Sequence, residues 1–175
     1  MTEQQFFALI APSYPATWAL SHKGSAALRA LADRHYTRQQ AGTSQFCRPG
    51  VNLCLLLDDG TAGWVVWRPI PEVGRMDLLE AWECTLFRNE GARLSSDLIR
   101  EATATTYRMW GWPPRDGLIT AVGIAQTSRR RSKSSPPGRC FIEAGWTPMQ
   151  RVSEGKAWFL APRPTKVSRT EGSAK

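Results

Sequence analysis

Three groups of residues in this 175-residue chain could do chemistry. The first is the pair His35 and Tyr36. An imidazole titrates near neutrality, so His35 could relay the proton released when an amine attacks an acyl donor. It could equally cap the last carbonyls of a helix or face solvent. Tyr36 is either an anchor for the loop that follows or a group that stacks on and hydrogen-bonds an extruded base. The second is Glu83, between Trp82 and Cys84, which is a general base for an attacking amine or one half of an ion pair with a nearby arginine. The third is the stretch RNEGARLSSD at positions 88–97. The unpaired N–H groups of a helix start, aided by the helix dipole, form a site for phosphate or pyrophosphate. Arg88, Arg93, Ser95 and Ser96 would add donors to it, and Gly91 would let the backbone come close. The plainer reading is a capped helix with surface arginines, and Asp97 in its first turn is read as structural.

These residues need elements to hold them. Residues 6–10 could form a short strand. A helical pattern starts at Ser25, with Ala27, Leu28, Leu31 and Ala32 on one face, and decays over 33–38, which puts His35 and Tyr36 at its end. Residues 39–50 read as a loop. Apolar strands are expected at 51–57 and 62–67, joined through Asp59-Gly60, and again at 81–87. A long helix then runs to about Trp110, stopped by Gly111 and two prolines. Residues 118–124 read as a strand, 139–145 as a helical turn, and 149–152 with 157–160 as a hairpin around Glu154-Gly155. The order predicts an α/β fold, a mixed central sheet flanked by helices, in a single domain over 1–161. Of the eight tryptophans, Trp64, Trp67 and Trp82 are expected to pack in the sheet; Trp110, Trp112 and Trp146, at element ends, are candidates to stack on a flipped base.

Charge is unevenly distributed. Residues 1–125 hold 12 Lys/Arg against 12 Asp/Glu, whereas 126–175 hold 11 against 3, so the C-terminal part carries the whole net charge of +8. A polyanion is the first partner this suggests. Arg129, Arg130, Arg131, Lys133 and Arg139, together with Arg38, are the candidate phosphate contacts, read as a flexible arm on DNA or as a solvated loop. Residues 162–175 read as a mobile basic tail. No apolar run is long enough to span a membrane, and the N-terminus lacks a signal-peptide pattern. The four scattered cysteines read as reduced thiols in a cytoplasmic protein, and two histidines give little support for a metal site.

Strand, then R-x-x-G-x-(G/A), then helix is the pyrophosphate-binding motif of the GNAT superfamily of N-acetyltransferases. Arg88 and Gly91 match it, and Arg93 stands at the last small position. The short helix ending at Ala144-Gly145-Trp146 before a hairpin is also similar to that superfamily. Within it the chain resembles the Mom family of phage DNA-modification proteins at Asp33 to Tyr36, Cys84 to Arg88, Ser95-Ser96 and Pro137 to Trp146. The resemblance implies a phage- or prophage-encoded enzyme that modifies adenine N6, or another base amine, to protect DNA from restriction. It implies acetyl-coenzyme A or a related acyl donor along Thr85 and Phe87, with its pyrophosphate on Arg88, Gly91, Arg93, Ser95 and Ser96. It also implies catalytic roles for His35, Tyr36 and Arg88, with Glu83 as the candidate base. The acidic residue expected after the fifth strand is absent from the stretch 123–126. Two alternatives remain open: an N-acetyltransferase acting on small molecules or proteins, and a nucleic-acid-binding protein without activity.

Overall fold

A computed structural model describes residues 18–128, 135–151, 153 and 155–164. The expected strand at 6–10, the cations Arg129, Arg130, Arg131 and Lys133, Glu154 of the last turn, and the tail beyond 164 lie outside the described residues.

Among the described residues there are seven strands: β1 (Trp18–Ser21), β2 (Val51–Leu57), β3 (Ala62–Arg68), β4 (Trp82–Asn89), β5 (Leu118–Gly123), β6 (Thr147–Pro148) and β7 (Lys156–Leu160). The helices among the described residues are α1 (Ala26–Asp33), α2 (Ser95–Trp110), α3 (Ile124–Ser128) and α4 (Arg139–Glu143). All strands belong to one mixed sheet in the order β1-β2-β3-β4-β5-β7-β6. Its single parallel pair is β4 with β5; every other neighbour is antiparallel.

The pleat sends successive side chains to opposite faces. On one face Val65 of β3, Cys54 of β2 and Leu86 of β4 pack under Leu28, Leu31 and Ala32 of α1. On the other, Trp64, Val66, Leu53 and Leu55 meet Leu98, Ile99 and Ala102 of α2, with Phe141 of α4 and Phe159 of β7 closing the core. Trp64 is wholly buried, and its indole N–H donates to Thr106 Oγ1 at 3.1 Å. Ser25 caps α1 by accepting the Leu28 N–H at 3.3 Å. Gly111, at φ 81°, ends α2 as its sequence implied.

Several boundaries differ from the sequence reading. The strand β1 was not expected, because Trp18 to Ser21 offers only four residues, two of them exposed. Residue 124 starts α3 rather than ending β5. β7 pairs with Thr147–Pro148 instead of a strand at 149–152; Met149 adds one further bond, its N–H to Trp158 O at 2.8 Å. Trp67 packs half-buried on the sheet under two guanidiniums, as expected of it, whereas Trp146, a stacking candidate, is buried against Phe141 and Trp64, so no ligand can stack on it.

The turn into α4 depends on Gly138, which has φ 70°, and a Cβ there would stand 2.4 Å from the Phe159 ring. Gly138→Ala combines left-handed strain with overpacking against a buried ring. The expected cost is about 2 kcal/mol, read as a lower urea midpoint with unchanged slope.

Candidate functional site

The parallel pair β4–β5 opens the site. It holds only from Trp82–Leu118 to Cys84–Thr120, where the Thr120 hydroxyl donates to Cys84 O at 2.9 Å. At that point β4 gains an extra residue: Val66 faces Cys84 while Val65 faces Leu86, which leaves Thr85 as a bulge. Beyond it β4 keeps β3 as neighbour and β5 keeps β7, but the two no longer pair with each other. A polar backbone edge of β4 is thereby released, able to hydrogen-bond an extended ligand as a strand would.

A cleft of about 870 Å³ lies at this divergence, lined by Thr85, Glu83, Cys84 and Leu86 of β4, Ala121 and Gly123 of β5, Tyr36, Arg38 and the loop up to Pro49, Gln126 of α3 and Lys156 of β7. Its loop is glutamine- and glycine-rich and has little apolar content of its own. Arg38 organises it. The guanidinium donates to Asp33 Oδ1 at 2.7 Å, to Thr43 O at 2.6 Å, to Thr43 Oγ1 at 2.9 Å and to Gln45 O, and its side chain is only 10% exposed. Arg38 was expected to touch DNA phosphate; its donors are committed to this bracket instead. The same guanidinium holds the Asp33 carboxyl below its ordinary range.

Tyr36 spans the opening. Its hydroxyl accepts the Gly123 N–H at the end of β5 at 3.0 Å, while 40% of the residue remains exposed. Burial of the phenol tip raises its pKa, and the Gly123 amide acts the other way. At neutral pH the hydroxyl is therefore a proton donor. Besides Tyr36, the aromatic side chain in the lining is Phe46.

His35 packs on Tyr36, ring centroids 4.4 Å apart, but is not part of the cleft wall. The Thr37 N–H points at His35 Nδ1 at 3.3 Å, and Thr37 Oγ1 lies 2.7 Å from the same nitrogen. A backbone N–H can only donate, so Nδ1 accepts and the neutral ring carries its proton on Nε2. The arrangement favours His35 orienting the Tyr36 loop over relaying a proton through Nδ1.

Glu83 is buried, and its Oε2 receives Arg48 Nη1 at 2.9 Å and Arg75 Nη1 at 2.8 Å. Arg75 in turn grips Asp77 with Nε and Nη2 at 2.8 and 2.7 Å, and Arg151 Nη2 reaches Asp77 at 2.7 Å. Of the two roles left open for Glu83, the ion pair is the one in place. Arg48, Arg75 and Arg151 carried no motif; their signal is only that an acid inside an apolar strand requires buried cations.

The strand-to-helix junction stands apart from the cleft. Phe87 packs edge-on against Trp64 and Phe141. Arg88, 14% exposed, donates to Glu90 and to the Arg34 carbonyl at the end of α1, and Arg34 makes a two-point pair with Glu90 at 2.8 Å each. Arg93 pairs with Glu101 at 2.6 Å, and the Asn89 amide donates to Ser95 Oγ at 3.1 Å. Ser96 is buried, and a Cβ at Gly91 would meet Thr61 Oγ1 at 2.4 Å, so neighbouring side chains already require that glycine. Asp97 pairs with Arg100, as a structural reading expects. Arg88, with Arg34 and Glu90, thus clamps α1 to β4, while Arg93 ties the loop to Glu101 of α2. Arg139 pairs with Glu143 at 2.6 Å along α4 but stays 63% exposed.

The clamp makes a pH prediction. Arg34, then Arg88, hold the Glu90 carboxyl down to about 2. A depressed carboxylate stabilises the fold above its ordinary pKa and loses that contribution as pH falls toward the folded value. Glu90→Gln is expected to flatten the fall of melting temperature between about pH 5 and pH 2 relative to the parent chain.

The cysteines carry no disulfide: Cys47, Cys54 and Cys84 are buried, and Cys140 is half-buried with its thiol pushed up to about 11 by burial. Among the described residues no group of three or more His, Cys, Asp and Glu could hold a metal ion, and no helix is long and apolar enough to cross a membrane. Compared with models of protein families, with curated proteins and with solved structures, the chain has no match.

Proposed function

We propose that the chain is a GNAT-like, Mom-like enzyme that modifies an amine of a DNA base, adenine N6 or another exocyclic amine. The observation that carries this reading is the divergence of β4 and β5 at the Thr85 bulge, with the Tyr36 hydroxyl held across the gap on Gly123. An opening between two parallel strands in the middle of a mixed sheet suits an extended donor on one side and an acceptor amine on the other. The sheet order, with three strands leading antiparallel into the parallel pair and an antiparallel finish, fits the superfamily that the motifs resemble. The net charge of +8 suits a polyanionic substrate.

Within this reading the base leaves the stack to reach the cleft, since its amine is not accessible inside a duplex. Tyr36 and Phe46 offer aromatic faces to it, and the glutamines and hydroxyls of the lining offer hydrogen-bond partners to its edge. The Tyr36 hydroxyl is the proton donor at the reacting centre. The released β4 edge fits the amide-bearing arm of a coenzyme A thioester. Arg88 gives Nε to Glu90 and Nη1 to the Arg34 carbonyl, and Arg93 is paired with Glu101, so both are held by the protein's own acceptors rather than aimed at its pyrophosphate. No step is assigned to the donor on that account.

Mass spectrometry of nucleosides from plasmid DNA, with and without expression of the chain, tests the reading. A new nucleoside mass that disappears in Tyr36→Phe upholds it. Unchanged DNA together with turnover of acetyl-coenzyme A on free amines would move the substrate to a small molecule or protein. Salt-sensitive DNA binding with neither reaction would leave a nucleic-acid-binding protein.

A further inference from the structure

We propose that Arg48 is the phosphate-binding residue of the cleft, seating the phosphate of a nucleotide whose base lies toward Tyr36. The identity of the ligand rests on the DNA-modification reading; the anion site itself rests on the following geometry.

Arg48 is fixed from two sides. Its Nη1 is bound to Glu83 Oε2 at 2.9 Å, and its guanidinium lies 5.1 Å from the centre of the Trp67 ring. Trp67 is itself tied down, its indole N–H donating to Pro49 O at 2.8 Å. The side chain is nonetheless 49% exposed and forms part of the cleft wall. Its Nε and Nη2, two adjacent N–H donors in one plane, have no acceptor among the described residues. That fork matches two oxygens of a phosphate, and an arginine already held by stacking and an ion pair loses little freedom on binding.

The surrounding charge favours an anion. Glu83 is the carboxylate in the lining, and buried Arg75 also binds it at 2.8 Å. Arg38 is spent on Asp33 and the loop carbonyls. Arg48 shares Glu83 with Arg75, so its charge is only partly compensated, and Lys156 has no ion pair among the described residues; amide, hydroxyl and small apolar groups make up most of the remaining wall. Position also fits. Glu83, which carries Arg48, pairs with Ile119, whereas Tyr36 is anchored at Gly123, four residues further along β5. At strand spacing Ile119 and Gly123 lie ~13 Å apart along β5, a separation on the scale of a nucleotide.

The phosphate could come from a DNA backbone or from a free nucleotide, and binding experiments on the full chain separate the two. The parent chain, Arg48→Gln and Arg48→Lys are titrated with deoxyadenosine, deoxyadenosine monophosphate and a short duplex at several salt concentrations, with inorganic phosphate as competitor. Arg48→Gln is expected to weaken binding of the monophosphate and the duplex by about 10-fold or more and to lower the duplex salt slope by about 1. Deoxyadenosine binding should not change. Glu83 keeps Arg75, so the Gln variant retains its buried ion pair; should it still fail to fold, Arg48→Lys gives the comparison. Lysine restores charge but neither the fork nor the stack, so an affinity well below the parent's is expected. Monophosphate and duplex binding within twofold of the parent in both variants would overturn the proposal and leave the DNA reading intact. Arg48-dependent binding of the monophosphate without duplex binding would uphold the phosphate site and remove DNA as the substrate. No binding of any phosphate compound by the parent chain would overturn both.

Discussion

Arg75→Met is expected to lower the free energy of unfolding by about 3–4 kcal/mol, the largest loss of any single side chain near the cleft. Arg75 is 4% exposed at its side chain and Glu83 5%. Burial disfavours the guanidinium's charge, but the hydrogen bonds to Asp77 and Glu83 and their charges outweigh it, so its pKa is raised. Asp77 is pushed well below the usual carboxylate range by Arg75 first, with Leu79 N–H and Arg151 adding to it. Methionine fills a similar volume and removes the charge, which leaves Glu83 and Asp77 each with one cation where there were two. The effect stays toward the lower end of the range for a broken buried pair because Arg48 and Arg151 remain. Urea unfolding of the variant gives the number. Arg75→Met with Asp77→Asn should recover part of the loss, since the double change removes one of the stranded charges. A loss below about 1 kcal/mol would mean that water solvates the network and that the β3–β4 loop is not held by it.

The same network shows what could be read from the chain alone. Hydrophobic period is a local property, so α1, β2, β3, β4, α2 and β5 were legible with errors of a residue or two. β1 was not, because four residues with two exposed have no period to detect. The element order of a mixed α/β sheet was equally legible, but the strand order and the single parallel pair are tertiary facts. Tyr36 and Glu83 were named from type and position, Thr85 through the family resemblance and Arg38 as a phosphate contact; the fold brings these four to one cleft, with Arg38 holding its loop. Their partners are what the sequence withheld. Arg88 lies 54 residues from the carbonyl it binds, and Arg48 lies 35 from Glu83. Nothing local marks an arginine as spent on an internal carboxylate or as turned to a ligand. That distinction separated the junction, where the phosphate motif stood in sequence, from the cleft wall, where the open guanidinium edge is.

If the chain modifies DNA bases as proposed, Tyr36→Phe should cut that modification by about 10²-fold or more while changing stability little. The hydroxyl is a side-chain donor that the fold holds at the gap between β4 and β5, and its raised pKa keeps the proton on it through neutral and mildly alkaline pH. Removing the oxygen takes an acceptor from the Gly123 N–H, but that amide borders an open cleft and can be solvated, so the expected cost is about 1 kcal/mol. The ring itself stays and can still stack on His35 and on a bound base. Loss of modification with unchanged nucleotide affinity would identify the hydroxyl as acting on the reacting groups. Loss of both would identify Tyr36 as part of the binding surface only. Thr37→Val discriminates further, since it removes the hydroxyl beside His35 Nδ1 but keeps the backbone N–H that fixes the ring. If His35 merely orients the loop, that variant keeps most of its activity. If the imidazole relays the proton through Nδ1, its pH–rate profile shifts. Modification undiminished in Tyr36→Phe would remove the hydroxyl from the chemistry and return the proton transfer to His35 or to water.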